Sequence, residues 1–181
     1  YFDGSGDYLS CSTTQIIPST GDFTLEAWIY PTSLSAYPTI INQGTAGTSG
    51  RLRLSINPTG TAFLQITGSS VTSTETVKIN QWNYVAATRT GSSVSVYVNG
   101  AAAATGTLSD AVQNTSLNIG YDWESPTYGQ ITGYASNVRI STSIRSSLTT
   151  VPTAPFSSDA NTKLLTNFTN AGIIDNAEMN D

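Results

Sequence analysis

The feature that most constrains this chain is a period of two. In "FTLEAWIYP", residues 23–31, apolar Phe23, Leu25, Ala27 and Ile29 alternate with Thr24, Glu26, Trp28 and Tyr30, and Pro31 stops the run. Successive side chains of a strand point to opposite faces, so this stretch is predicted to be a β-strand with one apolar side. "RLRLSIN", residues 51–57, repeats the pattern, with Leu52, Leu54 and Ile56 opposed to Arg51, Arg53 and Ser55. Pro58-Thr59-Gly60 then turns the chain into "TAFLQIT", which reads as a hairpin. "WNYVAATRT" (82–90) and "SVSVYVNG" (93–100) pair about Gly91-Ser92, and Asn99-Gly100 turns toward a third strand expected from Ala101. "SLNIGY" (116–121) and "GYASNVRIS" (133–141) carry the same signature, and no stretch has a convincing helical period. One open sheet would leave an apolar stripe wet on every strand. The predicted fold is therefore all-β, an antiparallel β-sandwich of two large sheets, and 181 residues suffice for one such domain with a real core.

Composition narrows the chemistry. Charged residues are 10% of the chain against roughly 25% in a typical soluble domain, so the surface is neutral and rich in hydroxyls. The formal charge is −5, and the seven Lys and Arg residues are scattered singly. No basic patch can neutralise a run of phosphates, so no nucleic-acid partner is expected. There is one cysteine, Cys11, and no histidine. That removes an intrachain disulfide, Cys-His and Ser-His-Asp nucleophiles and imidazole metal sites. Cys11 is expected to be a small buried hydrophobe. No apolar run of about 18 residues suggests a membrane span, and no signal peptide is visible. Because the sequence opens at Tyr1, directly in a strand-like stretch, we expect a segment of a longer or processed polypeptide.

Three organisational units are expected: a sandwich over residues 1–148, a Pro/Ser/Thr-rich connector over 149–162, and a strand with a tail over 163–181 that closes the sandwich or starts a further unit. Taken in order, "FDGSGDYLS", "DFTLEAWIYPTS", "INQWNYVAATRTGSSVSVYVNG", "LNIGY" and "GYASNVRIS" resemble the laminin-G-like, concanavalin-A-like lectin and glucanase jelly rolls over about residues 1–145. The tail "VPTAPFSSDANTKLLTNF" looks like that of units in tail, fibre and virion-surface proteins of bacterial viruses. The resemblance implies a surface module that binds host-surface carbohydrate or other virion protein subunits, on the virion surface or otherwise extracellular, as a homo-oligomer or part of a larger assembly. A secreted bacterial adhesin or carbohydrate-binding module is the alternative reading, and a glycoside hydrolase the third. Retaining glycosidases need two carboxyls about 5–5.5 Å apart and inverting ones about 6.5–9.5 Å. The similar glucanases carry theirs on one strand as Glu-x-Asp-x-x-Glu or Glu-x-Asp-x-Glu, and no stretch here matches. The closest acidic pairs are Asp3 with Asp7, Asp122 with Glu124, and Asp175 with Glu178, so the chain is expected not to be an enzyme.

Two stretches are candidate sites. In "YDWESPTYGQ", residues 121–130, Tyr121, Trp123 and Tyr128 stand beside Asp122, Glu124 and Gln130. Flat sugar C–H faces pack on such rings while carboxylates and amides bond the hydroxyls. The same residues also suit packing on a partner chain, or a cap over the core end. At the N-terminus, Asp3-Gly4-Ser5-Gly6-Asp7 offers two carboxylates and several carbonyls to a calcium ion, which takes six to eight oxygens, with Asp122 or Asn137 as further donors. The alternative is a tight turn, in which the glycines supply positive φ and the aspartates accept from turn amides. Trp28 and Trp82 are expected to pack in the core or on a sheet face.

Overall fold

The computed structural model describes residues 1–11, 16–35, 37–122, 129–169 and 172–175, with backbone alone for 168–169 and 172–175. Its strands are β1 (Phe2–Asp3), β2 (Leu9–Cys11), β3 (Phe23–Ser33), β4 (Thr39–Gln43), β5 (Leu52–Ile56), β6 (Thr61–Ile66), β7 (Ser69–Thr76), β8 (Asn83–Thr90), β9 (Ser93–Val98), β10 (Ala104–Thr107), β11 (Leu117–Ile119), β12 (Thr132–Ser141), β13 (Thr162–Thr169) and β14 (Gly172–Asp175). Among the described residues there is no helix.

The strands form two antiparallel sheets. The larger runs β10-β9-β8-β3-β12-β13-β14, with β1 also paired to β12; the smaller runs β2-β11-β4-β5-β6-β7. The alternation of β3 does what its period dictates. Phe23, Leu25, Ala27 and Ile29 join Val85, Val96 and Ile140 in one buried cluster with Ile41, Leu52, Leu54, Ile56 and Leu64 of the facing sheet. The predicted hairpin of β5 and β6 pairs Leu54 with Leu64. At the Asn99-Gly100 turn both residues have positive φ (51° and 73°), a backbone region that glycine and asparagine tolerate best. The third strand of that meander starts at Ala104, three residues later than expected.

The other face of β3 is covered by the chain's own later residues. Leu148 and Phe156 pack on Tyr84, Ala86 and Leu165 in a second cluster, with Trp28, Tyr97 and Val151 against it. The connector expected over 149–162 is thus a strap lying on the outer face of the larger sheet, and β13 then pairs with β12 in that same sheet. Its anchors are polar as well. The Phe156 N–H donates to Asn137 Oδ1 at 3.3 Å, Arg139 Nη1 to the Ser157 carbonyl at 3.0 Å, and Arg145 Nη2 to Asp159 at 2.7 Å. Asn137 has φ 49° within the irregularity between Ser136 and Arg139 where β12 slips against β3.

Candidate functional site

Of the expected surface at 121–130, Tyr121, Asp122 and Gln130 are described, while Trp123, Glu124 and Tyr128 lie outside the described residues. Tyr121 stacks on Tyr8 with ring centroids 5.1 Å apart. Asp122 does not face solvent: it is fully buried, and its carboxylate bridges Arg51 Nη1 at 3.4 Å and Arg53 Nη1 at 3.1 Å. Gln130 is also buried, and its Oε1 accepts the Gly6 N–H at 2.9 Å, tying the N-terminal loop to this corner. Both contacts have the form of structural fastenings, because a carboxylate taken out of water must be paired.

In the acidic loop, Asp3 Oδ1 accepts the Ser5 N–H at 2.6 Å and Asp7 Oδ2 accepts the Asp3 N–H at 2.9 Å. Gly4 and Gly6 have φ of 85° and 83°. Among the described residues no group of three or more His, Cys, Asp or Glu side chains converges on one point. The further donors considered for calcium are engaged elsewhere, Asp122 with the arginines and Asn137 with the Phe156 amide.

A different surface gathers the exposed rings. On the outer face of the larger sheet Tyr30 and Tyr134 are cross-strand partners, as are Trp28 and Tyr84. Tyr134 meets Tyr1 edge-on at 5.0 Å and Tyr30 at 6.0 Å, and Tyr30 meets Trp82 at 5.7 Å. These edge-to-face separations are the favoured ones for aromatic pairs. Trp82 is 47% exposed and Tyr134 45%, so the row remains open to solvent. Trp82 packs edge-on against Tyr30 on the sheet face and leaves about half of its surface exposed. Beside the row, a groove of about 370 Å³ is lined by Trp28, Trp82, Ser136, Asn137 and the strap residues Pro152–Pro155. Among the described residues, no ionisable side chain lines it.

Across the strap lies a second cavity, of about 540 Å³, with a charged floor. Glu26 Oε1 accepts the Tyr84 hydroxyl at 2.7 Å; its Oε2 takes Arg139 Nη2 at 2.6 Å and lies 3.7 Å from Arg145 Nε. Burial, reinforced by the Glu26 carboxylate beside it, holds the Tyr84 phenol far above its usual titration range. Both Glu26 oxygens are spent on these fastenings, which order the sheet face; Asp159, at the cavity's edge, is paired with Arg145 Nη2 at 2.7 Å.

Residues 3–148 match the family described as the concanavalin A-like lectin/glucanases superfamily, and the chain belongs to it. No curated protein matches the chain. Among solved structures, it is similar to a Bacteroides ovatus protein assigned to carbohydrate binding, at 20% identity and TM-score 0.69, covering 90% of this chain and 50% of that one. This chain therefore spans about half the length of that relative. It is also similar to the heptameric SAP-like pentraxin of Limulus polyphemus (16% identity, TM-score 0.63, 81% and 76% covered). A third is the CBM40 module of the Ruminococcus gnavus IT-sialidase bound to α2,3-sialyllactose (14% identity, TM-score 0.59, 79% and 95% covered). At these identities the likeness establishes the fold.

Proposed function

We propose that this chain is a non-catalytic carbohydrate-binding module whose saccharide lies against the aromatic groove on the outer face of the larger sheet. The observation that carries this reading is the open row Tyr1-Tyr134-Tyr30-Trp82 beside a groove walled by Trp28, Ser136 and Asn137. A pyranose has one apolar face and a rim of hydroxyls. Ring stacking removes the apolar face from water, while the hydroxyl and amide of Ser136 and Asn137 meet the rim. A groove without charge suits an uncharged saccharide. The reading draws support from carbohydrate-binding structures that share the fold, including an arabinanase domain from Geobacillus stearothermophilus in complex with arabinotriose.

The setting we propose is the exterior of a phage fibre, tail or other virion, where the module attaches to host glycans or docks on neighbouring subunits. This finer statement rests on the resemblance of the 151–168 tail and on the low-charge surface; a secreted adhesin is the alternative, and stable symmetric oligomers in light scattering would favour the virion. The test of binding is an array of neutral glycans probed with wild type and Trp82→Ala. Binding that falls about tenfold or more in the variant, with the melting temperature nearly unchanged, supports the groove. An array on which wild type captures nothing, or on which the variant is equal to wild type, refutes it.

A further inference from the structure

The turn that leads into β8 is built around a buried amide. Asn83, Val85 and Ala87 share one parity of the strand, and Val85 and Ala87 enter the core, so the pattern asks for an apolar residue at 83. The residue there is instead a fully buried asparagine. Its Nδ2 donates to the Lys78 and Gln81 carbonyls, both at 2.8 Å, and its Oδ1 accepts the Lys78 N–H at 3.0 Å and Asn99 Nδ2 at 3.1 Å. A side-chain amide has two N–H donors and an oxygen with two lone pairs, and here every one of them is met. Asn99 is fixed in turn: its Oδ1 accepts the Tyr84 N–H at 2.9 Å, and its own N–H donates to the Tyr84 carbonyl at 2.8 Å. A leucine at 83 would satisfy the alternation but leave the Lys78 and Gln81 groups unmade, so what the asparagine supplies is the shape of the 78–81 turn.

We propose that Asn83 is the positioning residue of Trp82, the most exposed ring of the groove. The ladder between β3 and β8 ends where Ile29 meets Asn83, so Trp82 stands one place beyond it. Its backbone is held through its neighbours. The Gln81 carbonyl that Asn83 binds shares one rigid peptide plane with the Trp82 N–H. Just before it Asn80, at φ 59°, donates its N–H to the Pro31 carbonyl at 2.8 Å. Fixing that plane on one side and the strand at Asn83 on the other fixes where the Trp82 Cα–Cβ bond points. The indole is thereby kept edge-on to Tyr30 at 5.7 Å although 47% of the residue is in solvent. Asn99 acts one step further back, by orienting the Asn83 amide through its Oδ1. A ring held in place before its ligand arrives gives up less freedom on binding, so Asn83 raises affinity without touching the ligand. That consequence rests on the reading of the groove as a saccharide site; the positioning itself does not.

The test compares Asn83→Leu with wild type by nitrogen-15 relaxation of the indole N–H groups, with Trp28, which lines the same groove, as the internal reference. The order parameter of Trp82 is expected to fall while that of Trp28 holds. Affinity for a neutral oligosaccharide that wild type binds is expected to drop about two- to tenfold, the range for one side chain that must be immobilised on binding. Ile66→Val, a core change in the smaller sheet, lowers stability away from the groove and is expected to leave both readings at wild-type values. Asn99→Gly keeps the positive φ of its turn and removes only the partner of Asn83 Oδ1, so it is expected to loosen Trp82 less than Asn83→Leu does. A Trp82 indole as ordered in Asn83→Leu as in wild type overturns the proposal, as does equal loosening in Ile66→Val. Where Asn83→Leu does not fold, a Trp82 unmoved in Asn99→Gly overturns it instead. A loosened Trp82 with unchanged affinity overturns its part in binding. A wild type that binds no neutral glycan refutes the reading of the groove, while the relaxation still decides whether Asn83 positions Trp82.

Discussion

Replacing Phe156 by alanine tests whether the strap is part of the folded unit. Phe156 is 6% exposed, its ring 6.2 Å from that of Tyr84, with the Arg139 guanidinium 4.3 Å above it. Phe→Ala in a core costs about 3–5 kcal/mol. The lower end applies here, since the residue packs on the outside of one sheet rather than between two. The aromatic pair and the cation–π contact, each of order 1 kcal/mol, are contained in that figure. The expected loss is about 3 kcal/mol, which for a domain of this size lowers the melting temperature by about 6–12 °C. Circular dichroism melts read the stability, and limited proteolysis within 149–155 reads the strap. Because Pro152–Pro155 wall the groove, glycan binding is expected to weaken in the same variant. A loss below about 1 kcal/mol, with the segment as resistant to protease as in wild type, would refute the reasoning.

Three further outcomes follow from particular contacts. Tyr84 has its folded pKa raised by burial above the ordinary value of 10.0, so its contribution is complete below pH 10 and is lost as pH rises beyond it; alkaline melts of wild type should fall more steeply than those of Tyr84→Phe. Equal slopes would contradict this. Gly133, with φ 137°, stands where an added Cβ would meet the Tyr30 carbonyl oxygen at 2.0 Å. Gly133→Ala should cost more than about 2 kcal/mol in urea unfolding and dislodge Tyr134; a near-neutral variant would show that β12 relaxes freely. Calcium held by Asp3 and Asp7 would raise the melting temperature and chelator would reverse it, whereas an unchanged melt assigns the loop to its turn alone.

Much of the sandwich is written locally. In β3 and β5 each residue's face follows from its neighbours two places away, so alternation alone places Leu25 and Leu54 inside. The polar fastenings are not local. Asp122 finds Arg51 and Arg53 at separations of 71 and 69 residues, and Glu26 finds Arg139 at 113, distances over which a sequence offers no period. Phe156 sits among prolines and serines with no apolar rhythm, because a strap needs only one or two anchors to lie on a sheet. The aromatic groove left a fainter trace: Trp28 and Tyr30 share the face of β3 that the alternation assigns to polar residues, where two large rings stand out. That they meet Trp82 and Tyr134 depended on the order of β8, β3 and β12 in the sheet.

The chain has three tryptophans, Trp28, Trp82 and Trp123, so its indole N–H resonances report on the groove and on the 121–130 stretch separately. Titrating the isotope-labelled protein with a neutral oligosaccharide selected on the array is the direct measurement. Saturable shifts of the Trp28 and Trp82 signals, with Trp123 unmoved, are the predicted result. Shifts confined to Trp123, or none with any saccharide, would contradict the placement of the ligand on the larger sheet.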